Sequence, residues 1–105
     1  MGLIALLLAM AQDGYKTIPL SEVATTRLTH VCTVGPVVYV RNQVDGDIHI
    51  TLDDGKTKVV LEIIPLIPLE RPRKGQRIKA CGVTRFDKLH QWPEIHPVTE
   101  WRVRP

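Results

Sequence analysis

Two short stretches of this chain alternate carboxylates with histidines at distances that could build a polar site. One is Asp45-Gly46-Asp47-Ile48-His49-Ile50-Thr51-Leu52, and the other runs from Asp87 through His90, Trp92, Glu94 and His96 to Pro97. A carboxylate beside an imidazole can fix its tautomer, share a proton with it, or join it in holding a cation. His49, His90 and His96, with an oxygen from Glu62, Asp87 or Glu94, would suit zinc or a similar divalent ion. None of the spacings that mark a zinc site is present, since no H-x-H, H-x-x-x-H or HExxH occurs. An enzyme built here would be a metal-dependent hydrolase, because no serine lies near the clusters and Thr51 is the nearest hydroxyl. The plainer expectation is a local structural role without a cofactor. Asp87 and Glu94 would then accept backbone N–H groups of a loop, while Trp92 and Trp101 close one end of the fold.

The elements that must position these residues read as strands. A long strand-like run covers residues 26–40, and Gly35-Pro36 inside it predicts a bulge or bend. Asp45-Gly46 signals a turn, and residues 47–52 alternate Asp47, His49 and Thr51 against Ile48, Ile50 and Leu52. A second turn at Asp53-Asp54-Gly55 leads into residues 57–64, where Glu62 is a lone acid among apolar neighbours. A buried carboxylate there requires a partner, and His49 or His96 is expected to supply it. Pro65, Pro68 and Pro72 exclude a regular helix from the following connector. Residues 76–84 and 99–103 complete five strands, with the Asp87-to-Pro97 stretch expected as a loop between the last two.

Three strands in a meander, a connection, and two more strands form the plan of an OB-fold, an all-β five-stranded Greek-key barrel. A proline-rich connector replaces the helix usual between its third and fourth strands. In this plan the first strand pairs with both the second and the fourth. Cys32 and Cys81 then face each other and are expected to form a disulfide.

DGDIHITL, VVLEIIP and GVTRFDKLHQWPEIHPVTEW resemble a group of small bacterial OB-fold proteins, some labelled nucleic-acid-binding proteins or lipoproteins. The likeness runs from Leu28 to Trp101, and DxxHxWxEIHPV is its most specific part. It implies an OB-fold and an exported location, and it supplies no reaction. The chain has no lipobox cysteine after its apolar run, so the lipoprotein version is not supported.

Charge is unevenly spread. Residues 1–69 hold five Lys/Arg against seven Asp/Glu, whereas residues 70–105 hold nine against four, a balance of +5. Arg71, Arg73, Lys74, Arg77 and Lys79 are the cluster that could bind a polyanion such as single-stranded nucleic acid. Tyr39 and Trp92 are the aromatics expected to be free to stack. Residues 3–11 read LIALLLAMA, too short to span a bilayer but of the length and pattern of a secretory segment. Residues 1–11 are therefore expected to be a truncated signal segment or else an apolar N-terminal helix, residues 12–25 an extension, and residues 26–105 the OB-fold-like domain of an exported, non-catalytic binding module.

Overall fold

The computed structural model describes residues 15–105, so the segment expected to direct export lies outside the described residues. Alternating side chains build the centre of the barrel. β1 (Lys16–Thr17) and β2 (His30–Asn42) are followed by β3 (Ile48–Asp53) and β4 (Lys58–Ile63). The β3–β4 turn is tied by its own acids: Asp53 Oδ1 accepts the Gly55 N–H at 2.8 Å, and Asp54 Oδ1 accepts those of Lys56 and Thr57. Gly55 has φ 91°, which glycine adopts without penalty.

β2 serves two sides of the barrel. Its first half pairs with β5 (Arg77–Asp87) and its second half with β3. No bulge falls at Gly35-Pro36, since both residues pair in register with Ile78 and Arg77, although β2 passes from β5 to β3 just after them. The ladder shifts instead between Val37 and Tyr39. Gly35 packs on the core, where a Cβ would stand 3.4 Å from both Leu20 and Leu52, an ordinary contact distance.

The stretch expected as a loop after β5 is a hairpin. β5 extends to Asp87 and β6 (Trp92–Val103) begins after only four intervening residues, so most of the second cluster lies on strand. Prolines within β6 are tolerated where the ladder permits: Pro93 is its second residue, and Pro97 sits where the register shifts around Gly82. Gly82 makes that approach possible. A Cβ there would fall on the Pro97 carbonyl oxygen and lie 2.7 Å from Ile95 Cγ2.

β6 runs parallel to β4, and β5 returns to β2, so the order β2-β3-β4-β6-β5 closes on itself. Cys32 and Cys81 are register partners across β2 and β5 and are disulfide-bonded, with their Cα atoms 4.0 Å apart. Ile50, Leu52, Leu61, Ile78 and Ile95 fill the interior. Residues ahead of β2 join them: β1 pairs with β2, Leu20–Glu22 form a 3-10 turn, and Ile18, Leu20 and Val23 are buried. The connector after β4 is irregular as expected, anchored by buried Pro72 and by Trp101 Nε1–H donating to the Glu70 carbonyl at 2.7 Å. Among the described residues, no helix is long and apolar enough to cross a membrane.

Candidate functional site

With Ile50, Leu61 and Ile95 turned inward, their strand neighbours face outward, and the register stacks those into rows across the barrel. In one row Arg41 of β2 lies opposite His49 of β3, and His49 opposite Glu62 of β4. A second row runs Tyr39, Thr51, Val60, Glu94 and Arg85. A third places Asp53 opposite Lys58 and Trp92 opposite Asp87, with Lys58 Nζ 4.8 Å from the Trp92 ring centre.

Glu62, 5% exposed, is the hub. Its Oε1 meets His49 Nε2, and its Oε2 stands 3.0 Å from His96 Nδ1 without the alignment of a hydrogen bond. The partner expected for this carboxylate is present twice. His96 Nε2 lies 3.8 Å from Asp47 Oδ2, which brings the β2–β3 turn to the same place. Loss of solvation pushes the Asp47 carboxyl up, Asp45 and Glu62 add to it, and the two imidazoles oppose it.

Glu94, at 1% exposed, is more deeply buried than a loop cap would be. Among the described residues it accepts no backbone N–H; its Oε2 accepts the Trp92 Nε1–H at 2.8 Å, and its Oε1 faces Arg85 Nε at 3.2 Å. Alternation along β6 sets it on the outward face that also carries Glu62 rather than in the turn. Burial raises its pKa and Glu62 raises it further, against the Trp92 hydrogen bond and Arg85. Glu62, Glu94 and His96 each offer a ligand atom within 4.8 Å of the others, so these three could hold a metal.

Asp87 does cap, as expected. Its Oδ1 accepts the N–H groups of Leu89 and His90, and its Oδ2 pairs with His90 Nδ1 at 2.8 Å. The His90 side-chain bond, followed by the backbone bonds, holds the Asp87 carboxyl down at about 2. The His90 ring stacks on Trp92 at 4.5 Å between centres. Trp92 is thus already covered by His90 and Lys58 and is not free to stack. His49 and His96 converge on one carboxylate, while His90 belongs to the hairpin and joins no three-residue ligand group among the described residues.

The basic cluster is separate. Arg71, Arg73 and Lys74 are exposed on the connector, and Arg77 and Lys79 point outward from β5. Lys79 stands opposite Arg102, and Arg104 continues the strip through its backbone bond to Arg77. None of these seven makes an ion pair among the described residues, where Arg85 is the one Lys/Arg that does. The strip adjoins β2, because Gly75 N–H donates to the Val37 carbonyl, two residues before half-exposed Tyr39.

The barrel is an OB-fold. It shares that fold with telomere capping protein Ten1 from Saccharomyces pombe, at 18% identity and TM-score 0.63 over 85% of this chain and 80% of that one. It also matches asparaginyl-tRNA synthetase from Entamoeba histolytica, at 17% identity and TM-score 0.65 over 86% of this chain. A chain assigned as an aspartyl-tRNA synthetase from Leishmania major Friedlin matches at 15% identity and TM-score 0.69 over 85% of this chain. This chain spans only 23% and 20% of the length of those two synthetase chains. No protein-family model and no curated protein matches it.

OB-fold proteins that bind oligonucleotides or oligosaccharides do so across their second and third barrel strands, and His49, Thr51 and Glu62 lie on the corresponding strands, β3 and β4. Sequence reading overlooked Arg85, Lys58, Arg102 and Arg104. Counting back from a hairpin centred on residues 88–91 would have set Arg85 opposite Glu94, but only once that stretch was read as strand.

Proposed function

We propose that this domain is an exported, non-catalytic OB-fold module that binds single-stranded nucleic acid through its basic strip. The observation carrying this reading is the unpaired strip itself. Arg77, Lys79 and Arg102 lie on the paired strands β5 and β6, and Arg73 and Lys74 on the connector that leads into β5, all without carboxylate partners among the described residues. Lys79 faces Arg102 directly, and like charges opposite one another destabilise a sheet unless an outside anion offsets them. Exposed Tyr39 beside the strip offers a stacking surface for a base. The fold relatives named for telomere capping and for tRNA agree with the reading. Both cysteines are tied up in a disulfide, which removes them as nucleophiles and suits an oxidising compartment. Membership of the small bacterial OB-fold group remains part of the same proposal.

The test is fluorescence anisotropy of a labelled oligothymidine at several salt concentrations. Four phosphate contacts predict a slope of log affinity against log salt of about −3. Arg73→Glu with Lys74→Glu should abolish binding. Affinity that ignores salt or survives the double reversal rejects this surface, and equal competition by heparin would widen the ligand to polyanions in general.

A further inference from the structure

We propose that Glu62, Glu94 and His96 form a binding site for a divalent transition-metal cation, for which zinc is the probe. The site lies away from the basic strip and does not depend on the nucleic-acid reading.

The strongest indication is which atoms are left without hydrogen bonds. Among the described residues, four buried side-chain polar atoms have none, and three of them are Glu62 Oε2, Glu94 Oε1 and His96 Nδ1. Each belongs to a side chain with a neighbour at its other polar atom. His49 faces Glu62 Oε1, Trp92 donates to Glu94 Oε2, and Asp47 stands 3.8 Å from His96 Nε2. Orienting groups behind ligands whose other donor atoms are unbonded are the pattern of an outer shell around a metal. Two of these atoms, Glu62 Oε2 and His96 Nδ1, stand 3.0 Å apart, and the third, Glu94 Oε1, is 3.2 Å from the Nε of half-exposed Arg85, none of them aligned as a hydrogen bond.

Charge points the same way. Glu62 and Glu94 are buried facing each other with Asp47 beside them, and Arg85 is the single Lys/Arg paired with the cluster. Two buried carboxylates at such a separation call for a shared proton or a cation between them. Two carboxylate oxygens and an imidazole nitrogen suit zinc with a water in its fourth position. The donor atoms of the three residues lie within 4.8 Å of one another. Tetrahedral zinc donors stand about 3.4 Å apart, so the widest pair would close by roughly 1.4 Å. The histidine side is open, with the His49 and His96 side chains 23% and 21% exposed, which gives an ion a way in.

The experiment is calorimetric titration of zinc chloride into chelator-treated, untagged full-length protein, with thermal melts of the same samples. One zinc per chain is expected, together with a rise in melting temperature on addition of zinc. Glu94→Gln keeps the volume and the acceptor for Trp92, so it should fold while weakening zinc binding by about tenfold or more. His96→Ala should do likewise, and neither variant should be stabilised by zinc. His90→Ala should bind as the parent does. No saturable binding by the parent overturns the proposal. Parent-like binding in either folded Glu94→Gln or folded His96→Ala also overturns it, as does loss of binding in His90→Ala.

Discussion

Reducing the Cys32–Cys81 bond should cost this barrel a large part of its stability. The two cysteines are 49 residues apart in sequence, and the loop-closure relation for a loop of that length gives about 4 kcal/mol at 25 °C. Domains of this size have a total stability of only about 5–15 kcal/mol. Both sulfurs lie in the wall between β2 and β5, with Cys32 at 3% and Cys81 at 1% exposure, so reduction leaves the packing nearly intact and acts mainly on the unfolded chain. Guanidinium unfolding followed by tryptophan fluorescence, with and without reductant, measures the difference. For a slope of about 3 kcal/mol per molar, the midpoint should fall by a little over 1 M. Replacing both cysteines by alanine should lower it further, because buried volume is also lost. A midpoint shift below about 0.3 M on full reduction would refute the reasoning, as would two titratable thiols in folded protein from an oxidising compartment.

Gly82→Ala should destabilise by about 3 kcal/mol or more, because the new methyl meets the Pro97 carbonyl and Ile95 and Val98 cannot move aside; a melting temperature within a degree or two of the parent would contradict this. Burial holds the Glu94 carboxyl above its ordinary value, so its contribution to stability is present below an unfolded pKa near 4.5 and is lost as pH rises through the raised value. Metal-free Glu94→Gln should therefore be no less stable than the parent at pH 7 and should lose that pH dependence; a loss above about 2 kcal/mol in denaturant titrations would count against it. Asp87 behaves oppositely. Its carboxyl is held at about 2, so its support for the β5–β6 turn is present above 3.8 and lost as pH falls through about 2. Amide exchange at Leu89 and His90 should quicken in Asp87→Ala at neutral pH, and unchanged rates would mean that the cap does not hold the turn.

Alternation made the centre of this fold readable. Ile48, Ile50 and Leu52 set against Asp47, His49 and Thr51 fix both the strand and its faces, and Asp53-Asp54-Gly55 marks the turn to a strand carrying Glu62. From that pairing alone His49 falls beside Glu62. Cys32 and Cys81 were legible for a related reason, since a strand shared by two neighbours must bring its first half against the fourth. Prolines concealed the rest. Pro93 and Pro97 make β6 look like a loop, and the condition that admits them, a ladder broken around Gly82, exists only in the assembled barrel. Reading that stretch as a loop also hid Glu94's burial and its partner Arg85. Ile18, Leu20 and Val23 alternate with nothing recognisable, so their place in the core depends on a surface formed by β2 and β4.

Strand β4 presents a problem that its own apolar residues do not solve. Val59, Leu61 and Ile63 face inward and Val60 faces out, with Ile64 following the strand, so a one-residue slip would exchange one greasy face for another at little cost. Glu62 removes the ambiguity. Slipped by one position, its carboxylate would enter the barrel among Ile50, Leu52 and Ile95, at a penalty of roughly 3–5 kcal/mol for a buried charge without its partners. Leu61 would then replace it between the two imidazoles. The acid at the centre of the candidate site therefore also acts as the index mark by which β4 finds its alignment between β3 and β6, and whatever that carboxylate binds, the chain must already have read it correctly in order to fold.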